Sequence, residues 1–152
     1  MSARASRSAP VAVAGYASVF GVADLAGDVV EPGAFSASLH RIPAAAIRML
    51  HQHDPLRPIG RWTVAVEDAV GLWVEGLIDP AGPDAARALA LVRAGALDGL
   101  SIGFRALAAT PRPRGGRVLH EIDLREISLV AFPMAPRARL RVAAGLSPSL
   151  AA

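Results

Sequence analysis

The sequence predicts a mainly β domain of α+β type, an antiparallel β-barrel flanked by helices. Three observations carry that expectation. Short runs rich in small, β-branched and aromatic residues recur along the chain, separated by Gly-, Pro- and Asp-rich turns. Only one segment has strong helical signals, so a doubly wound parallel fold would lack the helices it needs. At 152 residues the chain has the size of one domain.

Residues 1–10 are small, polar and basic with no apolar core following, which fits a flexible arm and not a signal peptide. The domain is expected over residues 11–142, with the Ala/Ser/Pro-rich residues 143–152 as a flexible tail. Residues 11–20 (VAVAGYASVF) read as a strand, closed by a long Gly- and Asp-rich loop. Residues 35–41 suit a short helix, with Phe35 and Leu39 on one face and Pro43 as its stop. Residues 47–53 read as the next strand. After the turn at Asp54-Pro55 and a break at Pro58, residues 59–66 and 71–78 form a hairpin pattern. Asp84 stands where an N-cap would be, Leu89 and Val92 give an apolar stripe, and Gly95 suits the left-handed stop of that helix. Residues 100–107 and 118–131 read as strands joined by the PRPRGG turn. In the second of these the apolar residues change phase: Val118, Ile122 and Leu124 are even, Ile127 and Leu129 odd. That predicts a bulge near Arg125.

Composition narrows the function classes. Hydrophobic residues make up 53% of the chain and charged ones 19%, which is too apolar for a disordered protein. No apolar run reaches the ~20 residues that would cross a bilayer as a helix, so no membrane partner is expected. Cysteine is absent, which removes disulfides, thiolate metal sites and a cysteine nucleophile; lysine is absent too, which removes Schiff-base and Ser-Lys chemistry. The net charge is +3, all of the basic residues being arginine. Arg105, Arg112, Arg114 and Arg117 cluster around the Pro/Gly turn without interleaved aromatics, which suits a solvated loop better than a specific nucleic-acid site.

Three stretches carry candidate chemistry. Gly99-Leu100-Ser101-Ile102-Gly103 matches the G-x-S-x-G pattern that presents a serine hydroxyl on a tight backbone. No useful helix follows it, so an α/β-hydrolase is disfavoured, and a plain serine in a glycine-flanked strand is the alternative. In Leu50-His51-Gln52-His53-Asp54 two histidines fall on one face if the segment is extended. They could hold a metal, but no third ligand stands at a diagnostic spacing, so neither metal nor cofactor is expected. One of them could instead serve as a general base for Ser101. In Arg125-Glu126-Ile127-Ser128-Leu129-Val130 a carboxylate sits inside an apolar strand and needs a partner, either an arginine or a catalytic imidazole. His120 and Asp123 compete with Glu126 for that role.

The words around these residues resemble the prohead maturation proteases of tailed phages. GYASVFGVADLAGDVVEPGAF, MLHQHDPLRPIGRW, GLWVEGLI, ALDGLSIGF and EIDLREISLVAFPMAP carry the resemblance, from Gly15 to Pro136. It implies a serine endopeptidase with the fold of herpesvirus capsid-assembly proteases. The family's histidine word usually reads Leu-Trp-Gln-His-Asp, so its histidine falls on His53, and His51 stands in the tryptophan's place. The family's serine falls on Ser101 and its acidic member on Glu126. Herpesvirus relatives use a second histidine as third member, which keeps His120 open beside Asp123. An oxyanion site is expected in the loop from Phe132, at the backbone of Met134 or Ala135, supported by Arg137 and Arg139 if these are not simply solvated.

The resemblance further implies action inside the assembling prohead, in the cytoplasm of a bacterial host. There the enzyme would trim the major capsid protein or a scaffold, and then itself, the tail being a candidate autocleavage region. A homodimer follows by analogy with herpesvirus relatives. A phage-derived gene transfer agent is an equally compatible source. The alternative is an assembly factor that keeps the barrel without cutting.

Overall fold

The structure is a computed structural model in which residues 8–143 are described. The first part of the expected arm and nearly all of the expected tail therefore lie outside the described residues. Strand β1 (Val11–Val19) and the two-residue β2 (Val29–Val30) precede helix α1 (Ser36–Arg41) and a 3₁₀ turn (Ala44–Ala46). Then come β3 (Arg48–His51), β4 (Asp54–Glu67), β5 (Gly71–Ile78), helix α2 (Pro83–Arg93), β6 (Gly99–Pro111), β7 (Arg117–Val130) and β8 (Leu140–Val142).

The chain is mainly β, as its turn spacing predicts, but the expected all-antiparallel barrel is corrected. One sheet of eight strands forms, and it is mixed: β2 and β3 both run parallel to β7, while β1, β4, β5, β6 and β8 make antiparallel pairs. The sheet does not close. A single bridge, Gly99 to Arg139, ties the start of β6 to the segment entering β8. β2 and β3 run the same way because the segment between them, which contains α1, carries the chain back along the sheet, so both lie parallel to β7.

One edge of β7 is occupied along its length by β6. The other edge is divided. β2 pairs at Val118 and Leu119, and β3 pairs from Glu126 to Leu129. The interval between them is capped by the α1 segment: Ala34 O accepts from Ile122 N–H at 3.0 Å and Ser38 Oγ from Leu124 N–H at 2.9 Å. An unpaired buried amide would be costly, and the fully buried Ser38 prevents one. The predicted bulge forms where the phase changes, since Gly103 pairs with Glu126 and Phe104 with Leu124, leaving Arg125 as the extra residue.

The core gathers side chains from the strands, from α2 and from Phe35 at the start of α1. Trp62, Phe35, Ile47, Met49, Ile59, Leu72, Leu100, Leu119, Ile122 and Leu124 are among its fully buried side chains. Trp62 keeps its indole N–H satisfied by Ile127 O at 3.2 Å.

Several local expectations shift. Helix α2 is capped by Gly82 with Pro83 in its first turn, so Asp84 lies inside the first turn, where its charge still favours the helix N-terminus. Gly95 does adopt the left-handed conformation, with φ +75°. Strand β4 runs through Pro58 without a break because the ladder with β3 is irregular there, which suits a residue with no N–H to donate. The sequence does not predict β8; three residues pairing with β1 are too few to show a pattern.

Candidate active site

The histidine word does not continue as a strand. β3 ends at His51, and Gln52 and His53 take left-handed conformations with φ +52° and +60°. The expected single face holding His51 and His53 is thereby lost, because a left-handed turn breaks the alternation of an extended chain. His51 keeps a buried Nε2 with no hydrogen-bond partner among the described residues. No group of three or more His, Asp or Glu side chains converges as a metal site among those residues.

The turn is fastened at three points to the end of β7 and the residue that follows it. Gln52 N–H donates to Leu129 O at 2.9 Å, Gln52 Oε1 accepts from Ala131 N–H at 3.1 Å, and His53 N–H donates to Ser128 Oγ at 3.1 Å. These bonds hold two non-glycine residues in a conformation that costs roughly 1–2 kcal/mol each in a free chain. They also aim the imidazole. His53 Nδ1 donates to Glu126 Oε1, while Ser128 Oγ donates to Glu126 Oε2.

With Nδ1 carrying the proton, Nε2 of His53 is left as an acceptor. The hydrogen bond with Glu126 raises the His53 pKa above its ordinary value, outweighing the opposing effect of burial. Glu126 is well covered, its side chain 13% exposed, whereas the His53 side chain is 42% exposed. The largely covered carboxylate thus finds the imidazole, not an arginine, as its hydrogen-bond partner.

Ser101 is reached through the β6–β7 ladder. It is buried and stands directly opposite Ser128, while Gly103 stands opposite Glu126. Residues paired in this way share a face of the sheet, so Ser101 is a lateral neighbour of the Glu126–Ser128 pair. Gly103 has a steric reason to be glycine: a Cβ there would lie 2.3 Å from Glu126 Oε1. No hydrogen bond joins Ser101 to His53 among the described residues. Such contacts are often loose before substrate binds.

A cavity of about 200 Å³ opens beside Ser101, walled by Ile102, Phe104, Val22, Leu119, Met134 and Ala135. The expected oxyanion residues therefore line the same cavity as Ser101. Met134 O accepts from Leu25 N–H at 2.9 Å, joining its loop to the long loop after β1. Arg139 supports the segment, donating to Pro136 O and Asp98 Oδ1, both at 2.9 Å.

The competing third members are engaged elsewhere. His120 bonds Glu31 at 2.6 Å and Thr110 at 2.9 Å near the far end of β7, and Asp123 bonds Arg125 at 3.0 Å. In the basic cluster, Arg112 donates to Gly27 O, and Arg117 pairs with Asp28 at 2.7 Å. These two arginines pin the loop after β1 and are not free for a polyanion. Sequence reasoning missed Ser128, Gly103 and Gln52. The period-2 spacing of Glu126 and Ser128 on one strand is the signal that could have found the first.

The mixed sheet and its helices have the fold of the herpesvirus proteases. The chain aligns with the KSHV protease bound to a hexapeptide phosphonate inhibitor at TM-score 0.60 and 15% identity, over 87% of this chain and 64% of that one. With the varicella-zoster virus protease the TM-score is 0.53 and the identity 16%, over 87% and 63%. Residues 1–148 match the family model described as Caudovirus prohead serine protease, and the chain belongs to that family. It is 37% identical over 123 residues to the prohead protease of Enterobacteria phage HK97, which covers 78% of this chain. The chain spans about half the length of that relative, 54%.

Proposed function

We propose that this chain is a serine endopeptidase of capsid maturation, cutting the pro-segment of the major capsid protein or an internal scaffold, and then itself, within the assembling prohead. The observation that carries the reading is the Glu126-bound His53 beside the strand position of Ser101, in a chain of the prohead protease family. His53 Nε2 takes the Ser101 proton as Oγ attacks the scissile carbonyl. The same nitrogen returns that proton to the leaving amine, and water then hydrolyses the acyl-enzyme. Glu126 keeps the proton on Nδ1 and stabilises the imidazolium that forms. Backbone N–H groups at Met134 and Ala135 receive the oxyanion. A homodimer belongs to this reading as a proposal.

The test is co-expression of the chain, wild type and Ser101→Ala, with its major capsid protein, followed by intact mass of both polypeptides. Truncation with wild type alone is expected. Shells that form with both proteins at full length would replace the protease with an assembly factor. Equal cutting by the serine variant would remove Ser101 as nucleophile.

A further inference from the structure

We propose that Ser128 is a positioning residue of the catalytic machinery, one that acts through Glu126 and His53; the inference rests on the triad proposed above. Its hydroxyl is fully buried and makes two bonds that converge on that pair. It accepts the backbone N–H of His53 at 3.1 Å and donates to Glu126 Oε2. A serine hydroxyl has one proton to give, and here that proton goes to the carboxylate.

The effect is to lock the carboxylate. With Oε1 held by His53 Nδ1 and Oε2 by Ser128, Glu126 is restrained against rotation about its terminal bond. The same hydroxyl holds the backbone of the residue whose ring Glu126 orients, so base and acid are registered to one point on β7. That point lies directly across the ladder from Ser101. Distance errors between nucleophile, base and acid are thereby confined to one row of the sheet. A rigid strand is a better mount for such a constellation than the left-handed turn carrying His53 would be alone.

The test reads the rate at which a fluorophosphonate labels Ser101, followed by intact mass across the neutral and mildly acidic range. Ser128→Ala should slow labelling about 10- to 100-fold. It should also move the acidic midpoint to lower pH, because a loosened Glu126 holds the His53 proton less well. Ser128→Cys keeps the buried volume with a weaker donor, so it should show the same changes even if the alanine variant folds poorly. In a Glu126→Ala background, Ser128→Ala should slow labelling less than it does in wild type, since only its hold on the His53 backbone remains to be lost. Labelling of wild type with unaltered rate and profile in both Ser128 variants would overturn the inference. So would an equal slowing with and without Glu126, which marks a purely structural serine. If wild type itself is not labelled at Ser101, the proposed protease falls first and this role falls with it.

Discussion

Gly103→Ala is the sharpest perturbation of the site, because it adds one methyl group and removes no polar contact. A Cβ at position 103 would stand 2.3 Å from Glu126 Oε1, 2.6 Å from its Cγ and 2.7 Å from its Cδ. Ordinary contact between such atoms is about 3.5 Å, so the carboxylate must withdraw by about 1 Å. It cannot do so while keeping both its bond to His53 and its bond to Ser128. Misplacement on this scale costs about 10²-fold in rate, or about 2.7 kcal/mol of transition-state stabilisation. Full loss of the orienting carboxylate sets a limit of roughly 10⁴-fold. The fold should survive, since the conformation of Gly103 is open to an L-residue and the added methyl stiffens the unfolded chain. The assay is Ser101 labelling by a fluorophosphonate, with thermal unfolding as control. Wild-type labelling by a folded Gly103→Ala protein would refute the claim that Glu126 must lie over position 103 to work.

Two further perturbations test charge. Glu126→Gln should move the acidic midpoint of Ser101 labelling down toward that of an ordinary histidine, because the carboxylate is what raises the His53 pKa. In wild type that pair stabilises the fold below the ordinary histidine pKa and loses its contribution as pH rises through the raised value. In the proposed mechanism activity needs the neutral ring, so it should rise over the same window. The two pH profiles should therefore run in opposite directions. Asp28→Asn should loosen the loop after β1, since Arg117 holds the Asp28 carboxyl below its usual range. That stabilisation is present above the ordinary aspartate value of about 3.9 and disappears as pH falls through the lowered one. Melting temperatures of wild type and Asp28→Asn should differ at neutral pH and converge in acid.

The fold was legible where local pattern and tertiary context agree. The β5 boundaries, the Arg125 bulge and the Gly95 stop follow from alternation, phase change and φ preference, all of which are local properties. Strand direction is not local. Nothing in residues 29–30 or 48–51 announces a parallel partner, since that depends on where α1 and the preceding loop carry the chain. The same is true of β8, whose three residues acquire a role only when β1 offers an edge.

The site divides along the same line. Ser101, His53 and Glu126 each stand out by a local anomaly: a serine between glycines, a histidine before a turn, a carboxylate in an apolar strand. Each anomaly has an ordinary structural explanation when taken alone. What distinguishes them is the ladder that sets Ser101 opposite Ser128 and Gly103 opposite Glu126, and no window of sequence contains both strands and the turn of His53. Ser128 illustrates the limit best. In sequence it is a small polar residue on a strand, and only the fold shows that its single hydroxyl bonds both His53 and Glu126. Residues that act by holding others carry little chemical signal of their own. They become visible when a buried polar group is followed to its partners, since burial without such partners would destabilise the strand that carries it.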